Sequence, residues 1–176
     1  MDWSTFVPTL LATFVGVVLS IGLSLLVRRV VNRRRDKEQA KETRKALLME
    51  LGANGKTLQE HIEVFREQTG QEHQELELTM LSRLRTSAYE IACQNNRVRL
   101  LDDVTLEKDL ADLVEDWRFL NLLLQRREDV VINNLAYAPS PEFAKLSGVW
   151  DNLVKKQTAE FLGKTIAVHE KLKATK

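Results

Sequence analysis

The chain has 176 residues and a net charge of +1, which leaves room for one domain and a smaller additional segment. The charge is unevenly distributed, because residues 28–45 hold nine Lys or Arg against three acidic residues, whereas residues 46–176 carry a net charge of −4. A neutral-to-acidic body with a basic collar is not the pattern of a globally basic nucleic-acid-binding protein.

Residues 6–27 form the first predicted element, a transmembrane helix. These 22 residues include no charged side chain, and as a helix they would extend about 33 Å, close to the thickness of the hydrocarbon core of a bilayer. A secretory signal peptide carries its positive charges before the apolar run, whereas here the arginines follow it, as in a signal anchor. The positive-inside rule therefore puts residues 1–5 outside and the rest of the chain in the cytoplasm, with a single-pass anchor in the inner cell membrane.

Small residues recur at every fourth position along one side of this predicted helix, namely Ala12, Gly16, Ser20 and Ser24. Small side chains let two helix backbones approach closely in lipid, where packing drives association. We therefore expect a helix–helix contact at these four positions, made with a second copy or with another protein. The alternative is that the stripe is ordinary lipid-facing composition.

Residues 28–45 form a basic juxtamembrane stalk, which either continues the helix or frays into a linker, because a helix without tertiary packing is marginal. Its basic collar should attract anionic lipid headgroups at about 1 kcal/mol per charge near the surface, although a plain stop-transfer flank explains the same residues. The stalk lacks aromatic side chains for base stacking, so we expect membrane lipids and no nucleic acid as partners. The collar consists of Arg28, Arg29, Arg33, Arg34 and Arg35.

Residues 46–176 predict an all-α domain, an antiparallel, coiled-coil-like bundle of three to four amphipathic helices. The first of these helices continues through Asn54-Gly55, a turn signal, because its apolar spacing persists on both sides. Within its stripe, Asn54 is a buried amide that needs hydrogen-bond partners and can fix the register. The stripe contains Leu47, Leu51, Asn54, Leu58, His61 or Ile62, and Phe65.

The spacing predicts three further helices and no strand. The second spans roughly Leu76 to Gln94, after a loop over residues 68–75. The third begins at a cap formed by Asp103 or Thr105 and ends near residues 133–134, and the fourth begins at Pro141 after a Ser140 cap. The residues expected to face inward are Leu81, Leu84, Ala88 and Ile91 in the second helix, Leu106, Leu110, Leu113, Trp117, Leu120, Leu124 and Val131 in the third, and Phe143, Leu146, Trp150, Leu153, Phe161, Val168 and Leu172 in the fourth.

Catalytic motifs are missing from the sequence. The Glu-x-x-His pattern of di-iron bundles does not occur, and neither does a phosphate-binding loop or a serine with a histidine at a recognisable spacing. We expect the single cysteine, Cys93, to be a small buried hydrophobic residue. We therefore expect no catalytic residue, no metal, no cofactor and no enzymatic activity, with an enzyme anchored at the bilayer as the least favoured alternative.

Four residues form a candidate polar site inside the bundle: Asn54, Trp117, Arg127 and Trp150. Core packing is the default for the two tryptophans, which both lie on apolar stripes. Arg127 interrupts the stripe of the third helix, and if buried it needs an acidic partner or a ligand.

These features favour a single-pass, cytoplasm-facing adaptor or subunit that tethers a protein partner at the membrane, alone or as a homo-oligomer. The alternative is a ligand-responsive sensor or effector whose bundle binds a small molecule near Trp117, Arg127 and Trp150. The sequence names neither the partner nor the ligand.

Replacing both Gly16 and Ser20 with Leu tests the small-residue stripe. Membrane insertion should be unchanged, because leucine is at least as apolar, whereas close helix–helix approach should be lost. Crosslinking in native membranes measures the association. Undiminished crosslinking of the double variant would show that the stripe is only lipid-facing composition.

Overall fold

The structure is a computed structural model that describes the backbone of residues 3–68, 81–101, 103–136 and 141–175, and the side chains of residues 14–66, 81–101, 103–133 and 145–175. The described backbone is almost entirely helical and contains no strand. Its elements are α1 (Trp3–Gln68), α2 (Ser87–Gln94), a 3-10 turn (Val98–Leu101), α3 (Val104–Ala136) and α4 (Pro141–Ala174). The predicted all-α fold with a long apolar N-terminal helix is confirmed.

The chain divides into two compact units, residues 1–41 and residues 42–176. Unit 1 is helical throughout residues 3–41, so the basic stalk is helix and not frayed linker. The side chains of residues 14–38 are all exposed, including every large apolar residue from Phe14 to Val31. Unit 2 contains the buried core.

The first and third predicted stripes are buried as expected. On α1, the side chains of Leu47, Leu51, Asn54, Leu58, His61 and Phe65 are all buried, and the helix is unbroken at Gly55. Helix α3 buries a residue at every third or fourth position from Leu106 to Val131, with Arg127 among them. Asp103 is the cap of α3, because its Oδ1 accepts from the backbone N–H groups of Thr105 (2.9 Å) and Leu106 (3.0 Å).

Helix α4 runs antiparallel to both α3 and the part of α1 in unit 2. Its pairing with α3 is marked by the ion pairs Lys171–Asp109 and Lys164–Asp116. At the other contact, Arg44 on α1 donates from Nε to the backbone oxygen of Leu172 (3.0 Å) at the end of α4. A cation that binds the last carbonyls of a helix satisfies acceptors that have no partner within that helix.

The second predicted helix is wrong over residues 81–86 and right over residues 87–94. Residues 81–86 are irregular, and α2 spans only eight residues, Ser87–Gln94; the predicted start at Leu76 and the loop over residues 68–75 lie at or beyond the limit of the described backbone. Leu81 and Leu84 are buried as expected, but Ile91 is 55% exposed. The apolar spacing of residues 81–86 fits a helix as well as it fits the observed irregular backbone. The side chains that hold this backbone belong to other helices, so the local sequence does not reveal them.

The inward face of α4 is as predicted in the second half of the helix and displaced in the first. Phe161, Val168 and Leu172 are buried as predicted, whereas Leu146 is 43% exposed, Trp150 and Leu153 are half-buried, and the side chain of Phe143 lies outside the described residues. The inner face also includes residues that the apolar pattern did not select: Ser147, Asp151, Val154, Thr158 and Thr165. The apolar pattern missed most of these positions because four of the five side chains are polar.

Candidate functional site

The small-residue stripe lies on an open surface of unit 1. Apart from its chain neighbours and the backbone of its own helix, no atom lies within 4 Å of the position that a Cβ would take on Gly16. The hydroxyl groups of Ser20 and Ser24 donate to backbone oxygens of their own helix, those of Val17 (3.0 Å) and Ser20 (2.7 Å). The side chain of Ala12 lies outside the described residues. This surface is apolar with its hydroxyl groups already hydrogen-bonded, which suits contact with lipid or with another helix.

Unit 1 contains one helix that is long and apolar enough to cross a membrane, near the N-terminus. The five arginines of the basic collar, which follow its apolar part, are all exposed. Exposed arginines on a helix surface are available to lipid headgroups or to any other anion. The collar residues are Arg28, Arg29, Arg33, Arg34 and Arg35.

Asn54 binds the backbone of the irregular segment 81–86. Its Nδ2 donates to the backbone oxygen of Arg85 (2.7 Å), and its Oδ1 accepts from the backbone N–H of the same residue (2.9 Å). The amide thereby supplies both partners that a neighbouring strand would supply. The sequence predicted that the buried amide of Asn54 needs hydrogen-bond partners, and the backbone of Arg85 supplies them. This contact fixes where the segment lies along α1.

Asn121 on α3 makes the same double contact one residue earlier. Its Nδ2 donates to the backbone oxygen of Leu84 (2.9 Å), and its Oδ1 accepts from the backbone N–H of Leu84 (2.8 Å). Arg83 adds a side-chain contact to α3, donating to the carboxylate of Glu128 (2.5 Å) and to the backbone oxygen of Asn121 (2.7 Å). Two asparagines from two helices thus hold two successive residues of the segment.

Glu50, one turn before Asn54 on α1, holds the start of α2. Its carboxylate accepts from the backbone N–H groups of Ala88 (2.7 Å) and Tyr89 (3.3 Å) and from the hydroxyl of Ser87 (3.2 Å). A negative charge at the first N–H groups of a helix satisfies donors that have no partner within the helix and interacts favourably with the helix dipole. The buried carboxylate of Glu50 is therefore a cap supplied by a different helix.

Trp117 is a core residue whose polar atom has a partner. Its indole Nε1 donates to the hydroxyl of Thr165 (3.2 Å), which in turn donates to the backbone oxygen of Phe161 (2.7 Å). Trp117 is 1% exposed, so this hydrogen bond removes the cost of a buried, unpaired N–H. The tryptophan links α3 to α4.

Arg127 is buried, at 4% exposure, and has the acidic partner that such a position requires. Its Nε donates to Oδ1 of Asp151 on α4 (2.5 Å), and its guanidinium carbon lies 5.8 Å from the centre of the Phe65 ring on α1. The charge thereby joins three helices. Trp150 is adjacent in sequence to Asp151 and packs half-buried against the core.

The four residues of the predicted polar site therefore have separate partners. Asn54 binds the segment backbone and Trp117 binds Thr165, whereas Arg127 pairs with Asp151, the neighbour of Trp150. Each contact links two or more elements of unit 2.

Three buried side chains have polar atoms that make no hydrogen bond within the described structure: His61, Ser147 and Thr158. Burial lowers the pKa of His61, and Arg127 lowers it further, which outweighs the opposite effects of the Ser82 backbone and of Glu60. The Ser82 backbone is therefore close to the imidazole, although neither ring nitrogen reaches hydrogen-bond geometry. His61 is a neutral, buried donor and acceptor beside the irregular segment.

A cavity of about 320 Å³ lies between the start of unit 2 and α2. Its walls are largely apolar, with Ala46 on α1 and with Ala88 and Ile91 on α2. The full lining consists of Glu42, Thr43, Ala46, Ser87, Ala88, Ile91, Ala92 and Arg97. Cys93, expected to be buried, is instead exposed on the same short helix.

Sequence reasoning missed Glu50 and Asn121 as contact residues. Both lie at the edge of the predicted stripe of their helix, Glu50 beside Leu51 and Asn121 beside Leu120, and only the path of residues 81–89 shows what they bind. A polar residue at the edge of an apolar stripe was the available signal, but such residues are usually solvated.

Comparison of the chain with protein-family models, with curated proteins and with solved structures gave no match. Within the described residues, no three His, Cys, Asp or Glu side chains are grouped as they would be around a metal ion.

Replacing Asn121 with Ala should lower the free energy of unfolding by about 1–3 kcal/mol, because the N–H and the oxygen of Leu84 would lose their partners in a part-buried position. Asn54→Ala should have an effect of similar size for the same reason at Arg85. Chemical denaturation followed by circular dichroism measures both. Asn152→Ala, at an exposed position of α4, is the matched control and should change stability little. Equal effects of all three substitutions would contradict the clamping role.

Acidification should destabilise unit 2 through His61. Because its pKa is lowered in the folded state, the unfolded chain binds the proton more tightly, so stability is complete above about pH 6.5 and declines as the pH falls below that value. Denaturation series between pH 7.5 and 5 should show this decline in the wild type and a weaker one in His61→Phe. Asn152→Ala, at an exposed position of α4 and without an ionisable group, is the control and should keep the wild-type slope. An unchanged slope in His61→Phe would refute the assignment.

Proposed function

We propose that this protein is a single-pass membrane adaptor whose cytoplasm-facing bundle holds a protein partner at the membrane surface. In this proposal, residues 6–27 cross the inner membrane with the N-terminus outside. The observation that carries it is the continuous exposed apolar surface of residues 14–27, followed at once by the exposed basic collar. A soluble protein would leave such a surface open to aggregation, whereas lipid removes it from water.

Unit 2 supports the role of a binding module. Its core is closed by contacts between side chains and backbone from several elements, so it offers a stable surface for a partner. Its exposed residues include several large apolar ones, such as Phe119 (47%) and Leu122 (50%), three positions apart on α3. Apolar side chains of this kind contribute to protein interfaces when they are grouped.

A ligand-responsive sensor is the second candidate, and the cavity beside α2 favours it. A volume of about 320 Å³ is at the lower end for small-molecule sites, and a mostly apolar lining with a few polar and charged side chains is usual for such sites. The cavity lies beside Ala46, Ala88 and Ile91, away from the three residues expected from the sequence. In this version a ligand between α1 and α2 would alter their packing.

The adaptor proposal is tested by crosslinking in native membranes, gentle solubilisation and purification of the tagged full chain. We expect a specific protein to be recovered in an amount comparable to the chain itself, because a tethering subunit is occupied in the cell. The control is residues 1–41 fused to an unrelated soluble domain, which should retain membrane attachment and lose the partner. Recovery of the chain alone under all conditions, or of the same proteins with the control, would contradict the proposal.

A further inference from the structure

The cavity beside α2 is formed where short side chains of two helices meet. Ala46 on α1 and Ala88 and Ala92 on α2 line it, and Ile91 is the larger apolar side chain of the lining. An alanine fills less of the space between two helices than a longer residue does, so three of them leave room in an otherwise close-packed layer. The volume of about 320 Å³ is near the smallest that holds a small organic ligand, which excludes a lipid with two acyl chains.

The end of α2 turns Arg97 back toward this cavity. The backbone N–H of Asn96 donates to the oxygen of Cys93 (2.9 Å), and that of Arg97 donates to the oxygen of Ala92 (2.7 Å). These two hydrogen bonds form a Schellman motif, in which Asn96 has the left-handed conformation (φ 54°) that asparagine adopts more readily than most residues. The motif brings Arg97 beside Ala92, and both residues line the cavity.

Arg97 is a half-buried cation whose side chain makes no ion pair or hydrogen bond within the described residues. Other arginines of unit 2 are paired, since Arg118 binds Glu90 (2.9 Å) and Arg83 binds Glu128 (2.5 Å). A partly buried guanidinium has lost part of its hydration, so its hydrogen bonds to an anion are stronger than those of a fully exposed arginine. Arg97 therefore provides the cavity with a binding point for a carboxylate.

Thr43 supplies a buried hydroxyl on the α1 side of the cavity. Its side chain is 6% exposed and makes no hydrogen bond to any part of the chain that the structure describes, whereas Thr165 and Thr175 donate to the backbone oxygen four residues earlier. The hydroxyl of Thr43 is not among the fully enclosed unpaired atoms of the core, so it remains accessible from the cavity that Thr43 lines. Buried hydroxyl groups normally have a partner, and this one is placed to find it in a ligand.

Glu42 adds a negative charge to the same lining. It is exposed, precedes Thr43 in the chain, and forms no ion pair with Arg97 or with any other described residue. Two opposite charges that line one small cavity without pairing are complementary to a ligand that carries both charges. A fatty acid would match Arg97 and leave Glu42 without a partner, whereas a zwitterion matches both.

We propose that this cavity binds a free α-amino acid with an apolar side chain. The apolar side chain contacts the three alanines and Ile91. The carboxylate of the ligand binds the guanidinium of Arg97 and accepts from the hydroxyl of Thr43, and its ammonium binds the carboxylate of Glu42. The inference rests on the proposed ligand-responsive function, for which it names the class of ligand. Because the binding residues belong to α1, to α2 and to the turn after α2, a bound amino acid joins these three elements.

The experiment measures the binding of radiolabelled L-leucine and L-phenylalanine to the full chain in lipid nanodiscs by equilibrium dialysis. At least one of the two should bind saturably, with one molecule per chain. Analogues without the ammonium (isocaproate, hydrocinnamate) or without the carboxylate (isoamylamine, phenethylamine) should compete about tenfold more weakly or worse, because each leaves one charge of the cavity without a partner. This comparison uses the wild-type chain and requires no variant to fold.

Variants then test the individual contacts. Arg97→Gln should weaken binding of the amino acid about tenfold or more, whereas Arg99→Gln, exposed two residues further on, should leave it unchanged. Ala46→Leu should abolish binding by filling the cavity, and Ala159→Leu, at an exposed position of α4, is its matched control. Glu42→Gln should weaken binding of the amino acid and leave that of isocaproate unchanged. Circular dichroism and cooperative unfolding establish that each variant is folded.

Two sets of results would overturn the proposal. The first is a wild-type chain that binds neither amino acid, or binding that is unchanged in folded R97Q or A46L. The second is binding of isocaproate or hydrocinnamate as tight as that of the amino acids, which would assign the cavity to a simple amphipathic anion.

The ligand-responsive function has a separate readout, the hydrogen exchange of the backbone N–H groups of Leu84 and Arg85, which do not line the cavity. An amino acid that binds without changing this exchange would refute a response of the bundle and leave the binding site in place. If isocaproate binds instead and changes this exchange, the proposed ligand class is refuted and the ligand-responsive function stands.

Discussion

Burying an irregular segment requires a partner for each of its backbone N–H and C=O groups, and in unit 2 the side chains of neighbouring helices supply them. The backbone contacts at Leu84 and Arg85 are part-buried, and no strand lies beside the segment within the described residues. Asn54 and Asn121 solve this with one amide each, because an amide is both a donor and an acceptor. Glu50 does the same for the first N–H groups of α2. The two leucines of the segment complete the core only because these contacts hold its backbone there.

Other buried polar side chains of the three long helices also have hydrogen-bond partners on neighbouring helices. Arg127 and Asp151 satisfy each other, and the hydroxyl of Thr165 satisfies Trp117. Contacts of this kind add little net stability compared with apolar packing, but a shifted register would leave a buried charge or N–H without a partner. They therefore discriminate among the registers that an apolar seam alone would tolerate. Asp151, Thr158 and Thr165 lie seven residues apart, which keeps them on one side of α4 along its length.

The sequence predicted those parts of the fold in which local pattern and tertiary environment agree. The stripes of α1 and α3 recur at three and four residues, Asp103 caps α3, and α4 begins at Pro141, all of which require only neighbouring residues for their explanation. The prediction for α4 was wrong at Leu146, because the apolar pattern selected this leucine, whereas the adjacent Ser147 is the buried residue. Polar residues in a core are recognised from their partners, which the sequence does not place.

Residues 81–91 show the same limit more sharply. Their apolar residues have helical spacing, and three- to four-residue periodicity is the normal sign of a helix. The irregular backbone of residues 81–86 is compatible with that spacing because Leu81 and Leu84 both turn inward, while Asn54 and Asn121, 31 and 37 residues away along the chain, provide its hydrogen bonds. Asn54 could be singled out from its place in an apolar stripe. Asn121 could not, because nothing near it in the sequence indicates a backbone to bind.

Helix α1 is one continuous helix, although its side chains are exposed over residues 14–38 and pack into the core of unit 2 further along. A helix satisfies its own N–H and C=O groups, so it needs no outside partner except at its ends, in water, in lipid or in a protein core. What changes along α1 is the side chains. Ser20 and Ser24 return their hydroxyl groups to their own helix, whereas Glu50 and Asn54 direct theirs to another segment. The hydroxyl groups of Ser20 and Ser24 are therefore satisfied by their own helix, whereas the side chains of Glu50 and Asn54 are satisfied only when the bundle has formed. The fold of the bundle thus depends on a few specific polar contacts between elements, and the helical backbone of residues 14–27 depends on none.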